Sequence, residues 1–328
     1  MTPSHNNTRS GAIFRVFLVY SLLAGLLYFA FRNAPLIDIW ETLGKLQLWQ
    51  VLTLLGINTI IYLLITLRWW WIVRAENIRI SYFPLLAVRI AVFGISYFTL
   101  GPQVGGEPLQ VLYLQRKYDM TYTRATSTVV LDKLFEFLAN FILLSMGLTA
   151  ILQAGILFTS RSISFFSLSG LVVLLLWPLI HIILLYLGQY PVSTLLRKIS
   201  NNRTVRFIAA SERMAGSFCR RHLSSMVSAI LASLLAALGM VFEFFCITSY
   251  LGIHLSFWQT ITAWTAGWLS FLVPVPGGLG ALEASQVFTL GTFGISAASA
   301  IGVTLLIRAR DLLIGGLGLL IAGRGIGK

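Results

Sequence analysis

The sequence predicts an all-α, polytopic integral membrane protein, in which six full spans and two proline- and glycine-broken segments make an inverted internal repeat. Three observations predict it. Only 11% of the 328 residues are charged and 57% are hydrophobic, whereas ordinary soluble domains carry about 25% charged residues. Several apolar runs approach the roughly 20 residues that cross about 30 Å of hydrocarbon, and the mean hydropathy is +0.84. Lys and Arg also segregate to alternate sides of those runs, as the positive-inside rule requires. The remainder leaves no room for a large soluble catalytic domain.

The first run, 13–31, has Arg9 and Arg15 at its start but lacks a small-x-small cleavage site, so it is expected as a retained span, not a signal peptide. With its loop it makes the region 1–47. The run 49–67 opens the first repeat, 48–158. The next run, 83–114, is interrupted at Gly101-Pro102, where proline stops a helix. It is expected as two half-helices, either a re-entrant hairpin or two short spans; broken backbone at that depth requires surrounding protein or a wet cavity. The run 134–158 completes the repeat. The region 159–222 holds a connecting span, 163–187, and a basic stretch, 189–222, in which Leu195, Leu196, Ile199, Val205, Phe207 and Ile208 alternate with Arg and Lys. That stretch reads as an amphipathic interfacial helix broken at Ser200, Asn201 and Asn202, or as a solvated loop. The second repeat, 223–328, contains the span 223–251, a broken segment 257–293 and a last span within 297–322.

With both termini cytoplasmic, only Arg32, Lys45 and Arg161 fall outside, and Arg89, Lys133, Arg308 and Arg310 lie within the membrane. All other Lys and Arg, Arg68 among them, fall inside. Topology and attraction to anionic lipid therefore account for the net charge of +13. No nucleic-acid role is expected, and the plasma (inner) membrane is the expected location.

The repeat rests on a shared Pro-x-x-Gly-Gly, at Pro102 to Gly106 and at Pro274 to Gly278. Each copy follows a loop serine, Ser81 or Ser256, and precedes a helix with an adjacent acid and base, Asp132-Lys133 or Arg310-Asp311. An odd number of crossings separates the copies, so they face opposite sides. In transporters of that design the substrate site lies at the repeat interface.

Chemistry concentrates in three places. Pro274 and Pro276 stop a helix, while Gly277, Gly278 and Gly280 permit tight turning and close approach. The amides opening the next helix favour an anion, and Glu283 either complements the helix dipole or meets a cation. The first copy offers Gly105, Gly106 and Glu107, with Pro108 suited to a first helical turn. Third are the intramembrane ions Asp132, Lys133, Glu136, Glu243, Arg308, Arg310, Asp311 and Arg89. An Asp, Lys or Arg costs about 2.5–3.5 kcal/mol at mid-bilayer on insertion scales. Lys133 and Glu136 are spaced to pair, Asp132 and Glu136 share a face, and Arg308 and Asp311 repeat the three-residue spacing. These ions are either mutually neutralised pairs or the lining of a hydrated groove for a charged head group. Glu243 lacks a local basic partner, so it pairs elsewhere or holds a proton, which makes it the candidate for proton coupling. Trp69, Trp70 and Trp71 beside Arg68 are expected to anchor the inner interface, and His181 is expected to be structural. Cys219 and Cys246 make no cluster, and the usual hydrolase, metal and nucleotide motifs are missing. No catalytic residue, metal or cofactor is expected.

With these residues in hand, the chain resembles, over essentially its whole length, the membrane domain of the lysylphosphatidylglycerol synthase (flippase-like) family. The resemblance is carried by Pro274 to Gly280 with Glu283, by Gly105-Gly106-Glu107 and by Leu131-Asp132-Lys133-Leu134. The family usually has Arg at the position of Lys133 and Pro-Gly-Gly at Val104-Gly105-Gly106. The resemblance implies a translocase, since fused synthase members move an aminoacylated phospholipid across the bilayer. Their separate aminoacyl-transferase domain is not expected within this chain. The expected function is therefore translocation of an anionic or aminoacylated phospholipid or a lipid-linked precursor. Glycine-turn amides with Arg308 or Arg310 would hold phosphate, and Glu283 or Glu107 would gate. The alternatives are a non-transporting accessory subunit, partnered with a lipid-linked glycosyltransferase or lipid-modifying enzyme, and an embedded lipid-modifying enzyme using Asp132, Glu136 or Glu243.

Overall fold

A computed structural model describes residues 46–99, 105–153, 165–200, 202–273 and 275–324, together with positions 37, 40, 41 and 44. The run 13–31, Pro102 and Pro274 lie outside the described residues. In chain order the helices are α1 (Leu48–Ala75), α2 (Tyr82–Phe98), α3 (Glu107–Tyr118), α4 (Tyr122–Gln153), α5 (Phe165–Tyr186), α6 (Pro191–Ile199), α7 (Arg203–Arg221), α8 (Leu223–Tyr250), α9 (Phe257–Ser270), α10 (Ala281–Thr292) and α11 (Ala297–Gly323). No strand occurs among the described residues.

Helix starts follow the local chemistry. Ser256 and Gln259 make a reciprocal capping box on α9, Asn202 accepts from the Val205 amide to open α7, and Ser296 does the same for α11 through Ser299. The second broken segment is interrupted where Gly277, Gly278 and Gly280 take φ of +59°, +63° and +78°, a region that side chains with a Cβ rarely adopt. The stretch 189–222 is two helices, α6 and α7, separated at 200–202.

By length and composition α1 and α8 can cross a membrane, and a third span results if α5 and α6, bent by 93°, count as one. The exposed faces of α1 and α8 are largely apolar. On α8, Leu231, Leu235, Leu238, Phe242 and Phe245 make an uncovered stripe at alternating spacings of four and three, the pattern of one helix face.

These two helices pack along their length. Contacts run from Trp49 with Tyr250, through Asn58 with Glu243 and Ile61 with Gly239, to Arg68 with Ser233. Numbers rise on α1 as they fall on α8, so the pair is antiparallel. The α2–α11 pair is antiparallel as well, with Gly94 against Gly315 and Leu319, and Gly318 against the Ile90 carbonyl. So is α4–α9, where Phe141 meets Trp268 and Gly147 meets Thr265. Glycines at these crossings let backbones approach closely, a device suited to lipid surroundings that provide little hydrophobic drive between helices. The largest apolar cluster joins α4, α8, α9, α10 and α11 through Leu143, Phe244, Ile247, Trp264, Leu282 and Leu306.

Two expectations are corrected. Arg68 and Trp69 do not face outward as interfacial anchors: they are 1% and 0% exposed. Arg68 faces carboxylates on α4, and Trp69 packs in the cluster joining α1, α2, α3 and α4. In addition, α4 begins at Tyr122, well before the run 134–158, and the charges of its early turns are paired, Arg124 with Glu76, Asp132 with Arg68 and Arg89, and Lys133 with Glu107.

Candidate functional site

A cavity of about 240 Å³ opens between α1, α2, α4, α8, α9 and α11. It carries both apolar walls, such as Phe93, Phe244 and Trp268, and an unusual density of ions. Those ions form two clusters.

The first is centred on Asp132, fully buried on α4. Arg68 Nε donates to its Oδ1 at 2.6 Å and Nη2 to its Oδ2 at 3.2 Å, and the same Nη2 reaches Glu136 Oε2 at 2.8 Å. Arg89 Nη2 donates to Asp132 Oδ2 at 2.6 Å. Lys133 Nζ lies 3.1 Å from Glu107 Oε1 and 3.3 Å from Glu136 Oε1. Arg68, Arg89 and Lys133 thus face Asp132, Glu136 and Glu107. Such a balanced network is tolerable in a low dielectric, where an unpaired ion is not.

In the second cluster, Arg310 Nη1 donates to Glu243 Oε2 at 2.6 Å, and its Nε and Nη2 lie 2.8 and 2.7 Å from Asp311 Oδ1. Asn58 Nδ2 donates to Glu243 Oε1 at 2.6 Å. Glu243 therefore does find its base, 67 residues further along the chain. One guanidinium here serves two carboxylates.

A third group stands outside the cavity. Arg308, 2% exposed, donates through Nε and Nη2 to Glu283, the latter at 2.7 Å, and through Nη1 and Nη2 to the carbonyls of Gly277 and Gly278 at 3.0 and 3.3 Å. The glycine turn thus presents the Gly277 and Gly278 carbonyls to a cation, while the Gly280 amide that opens α10 is taken by the Glu283 carboxylate. Arg308 and Asp311, spaced to pair, take different partners.

The cavity accordingly collects Glu107, Lys133, Glu136, Glu243, Arg310 and Asp311 from the expected residues. Asp132 stands behind it, holding Arg68 and Arg89 in its wall. Gly105, Gly106, Pro276, Gly277, Gly278, Gly280, Glu283 and Arg308 do not line it. The two broken segments are nevertheless built alike. Glu107 accepts from the Gly105 amide at 2.8 Å and meets Lys133; Glu283 accepts from the Gly280 amide at 2.9 Å and meets Arg308.

Sequence reasoning missed Asn58, Arg68, Ser233, Gln110 and Gln286. Two signals were present. Asn58 and Arg68 are ten apart, as are Ser233 and Glu243, and the four meet crosswise on α1 and α8. Glu107 and Gln110 share the Glu-x-x-Gln spacing of Glu283 and Gln286, and both glutamines are fully buried. Gln286 Nε2 donates to the Ala263 carbonyl at 2.8 Å, while neither amide atom of Gln110 has a partner.

A helical bundle with largely apolar outer faces and ions in its interior is an integral membrane protein whose central feature is a cavity that sets ionic groups in a mainly apolar wall. The chain belongs to the family of the lysylphosphatidylglycerol synthase TM region, whose family model matches residues 13–318. No curated protein and no solved structure matches the chain.

Proposed function

We propose that this membrane protein, tied by its family to lipid metabolism, is a lipid translocase. It would move an anionic or aminoacylated phospholipid, or a lipid-linked precursor, across the plasma (inner) membrane. The observation that carries the reading is the ion-lined cavity held between antiparallel helices. A charged head group moving through hydrocarbon needs a path where its charge meets fixed partners, while its acyl chains remain in lipid. The cavity offers Arg68, Arg89, Lys133 and Arg310 to phosphate oxygens and Glu107, Glu136, Glu243 and Asp311 to an ammonium. No bond is broken in this reading.

The inverted repeat belongs to the same proposal. Its support is the antiparallel packing of α1 on α8, the crosswise contacts of Asn58 with Glu243 and Arg68 with Ser233, and the matching ties of Glu107 and Glu283. Related halves facing opposite sides give a cavity at their interface two exchangeable openings.

The test is exchange of head-group-labelled phosphatidylglycerol, lysyl-phosphatidylglycerol and a polyprenyl phosphate in proteoliposomes containing the purified chain. Exchange of one lipid is expected in the wild type and is lost in Arg310→Gln, within the cavity wall. It is retained to a larger extent in Glu283→Gln, outside that wall. No exchange of any lipid by verified, folded protein would refute translocation and favour the accessory-subunit reading.

A further inference from the structure

The α6–α7 unit lies away from the cavity and takes no part in the proposed path. Its chemistry is one-sided. Between 191 and 222 there are seven basic residues, Arg197, Lys198, Arg203, Arg206, Arg213, Arg220 and Arg221, and a single acid, Glu212, which is buried. None of the seven makes an ion pair among the described residues. Arg203, Arg206 and Arg213, at spacings of three and seven, share one exposed face of α7. On α6, exposed Arg197 and Lys198 sit beside Leu195 and Ile199, which are 62% and 78% exposed; Leu187, in the preceding turn, is 64% exposed.

The unit is also held at a fixed angle. Glu212 accepts from the amides of Val192 and Ser193 at 3.0 and 2.8 Å, occupying the start of α6 from α7. Arg220 donates to the Leu185 carbonyl at 3.0 Å and to Tyr190 Oη at 3.2 Å, gripping the end of α5. Both ties brace the 93° bend. If α5 runs along the membrane normal, a bend of that size lays α6 in the membrane plane.

We propose that α6 and the basic face of α7 form a docking surface for the anionic head groups of the adjacent leaflet. Leu187, Leu195 and Ile199 enter the head-group boundary, and Arg197, Lys198, Arg203, Arg206 and Arg213 lie against lipid phosphates. The mixture decides between occupants. An acidic protein would explain the basic stripe, but the exposed leucine and isoleucine next to it, on a braced helix lying across an apolar one, match a surface that is anionic outside and apolar just beneath. Each basic residue near such a surface strengthens attraction about fivefold, and the effect decays within a Debye length. This inference requires only a membrane protein and stands apart from translocation.

The experiment uses the full chain carrying Ile199→Cys, labelled with a polarity-sensitive fluorophore, since Cys219 and Cys246 are buried. It is placed in nanodiscs of phosphatidylcholine alone or with phosphatidylglycerol. Blue-shifted emission in the anionic discs is expected, and it disappears in about 1 M salt, where the screening length is about 3 Å. Adding Arg197→Glu, Lys198→Glu, Arg203→Glu and Arg206→Glu removes the difference. Identical emission in both discs at low salt would overturn the proposal, and this arm needs no charge variant to fold. Polyglutamate binding to protein in neutral discs, without a lipid-dependent shift, would also overturn it and assign the surface to an acidic protein.

Discussion

Asp132 is the residue on which the buried ionic network turns, because two guanidiniums share its carboxylate with no exposure to water. Removing it leaves Arg68 and Arg89 buried and undercompensated, which typically costs about 3–5 kcal/mol. Asp132→Asn should therefore lower thermal stability in detergent strongly. Glu243→Gln should cost less, because Asp311 remains on Arg310; equal losses would contradict the pairing described. Glu212 gives a pH prediction away from the spans. Burial alone would raise its carboxyl, but hydrogen bonds from His181, Ser193 and the Val192 amide outweigh that and hold it below its ordinary 4.5. A depressed carboxyl contributes stability that is complete above 4.5 and is lost as pH falls through the lower folded value. Hydrogen exchange over 187–202 should accelerate in that acidic window and become insensitive to it in Glu212→Gln. At this scale the charged residues were legible, since ions are rare in so apolar a chain, but their partners were not. Arg68 sits beside tryptophans and ends an apolar run, so it reads as an interface residue; its carboxylate is 64 positions away.

Among the elements, the α2–α11 crossing gives the sharpest contrast. A Cβ at Gly94 would lie 2.6 Å from the Gly315 carbonyl and 2.8 Å from the Leu319 amide, whereas one at Gly316 would meet nothing within 4 Å. Gly94→Leu should force the helices apart, at the level of overpacking, about 1–3 kcal/mol or more. Gly316→Leu, on α11 but facing away from the crossing, should leave the melting temperature unchanged. The broken segments were legible because proline and glycine cannot continue a helix. The start of α4 was not: Asp132 and Lys133 read as part of a helix, but the apolar run begins only at 134 and gives no sign that the helix reaches back to Tyr122.

For the whole molecule, the antiparallel course of α1 and α8 fixes which ends lie together. Arg79 and Arg221, both exposed, follow the end of α1 and precede the start of α8, while exposed His254 follows the end of α8. A membrane-impermeant thiol reagent should label Arg79→Cys and Arg221→Cys from one side and His254→Cys from the other. Labelling of all three from one side would remove the inverted arrangement. That arrangement was approached in the sequence by counting crossings. The closer correspondence, Glu107 with Lys133 against Glu283 with Arg308, required coordinates, because only contact shows which base serves which acid.

The sequence separations within the two ionic clusters also bear on how the chain enters its membrane. Arg68, Arg89, Glu107, Asp132, Lys133 and Glu136 all emerge before α5, so the first cluster can neutralise itself early. Until Asp132 follows, Arg68 waits through 64 residues of synthesis, roughly 3–13 s at 5–20 residues per second. Its place near the end of α1 lets it keep its head in water meanwhile. Glu243, near the end of α8, waits a comparable 67 residues for Arg310, with Asn58 already in place to donate to it. The first half thus furnishes a polar foothold for the second, and biosynthetic order becomes part of how so charged an interior is assembled in oil.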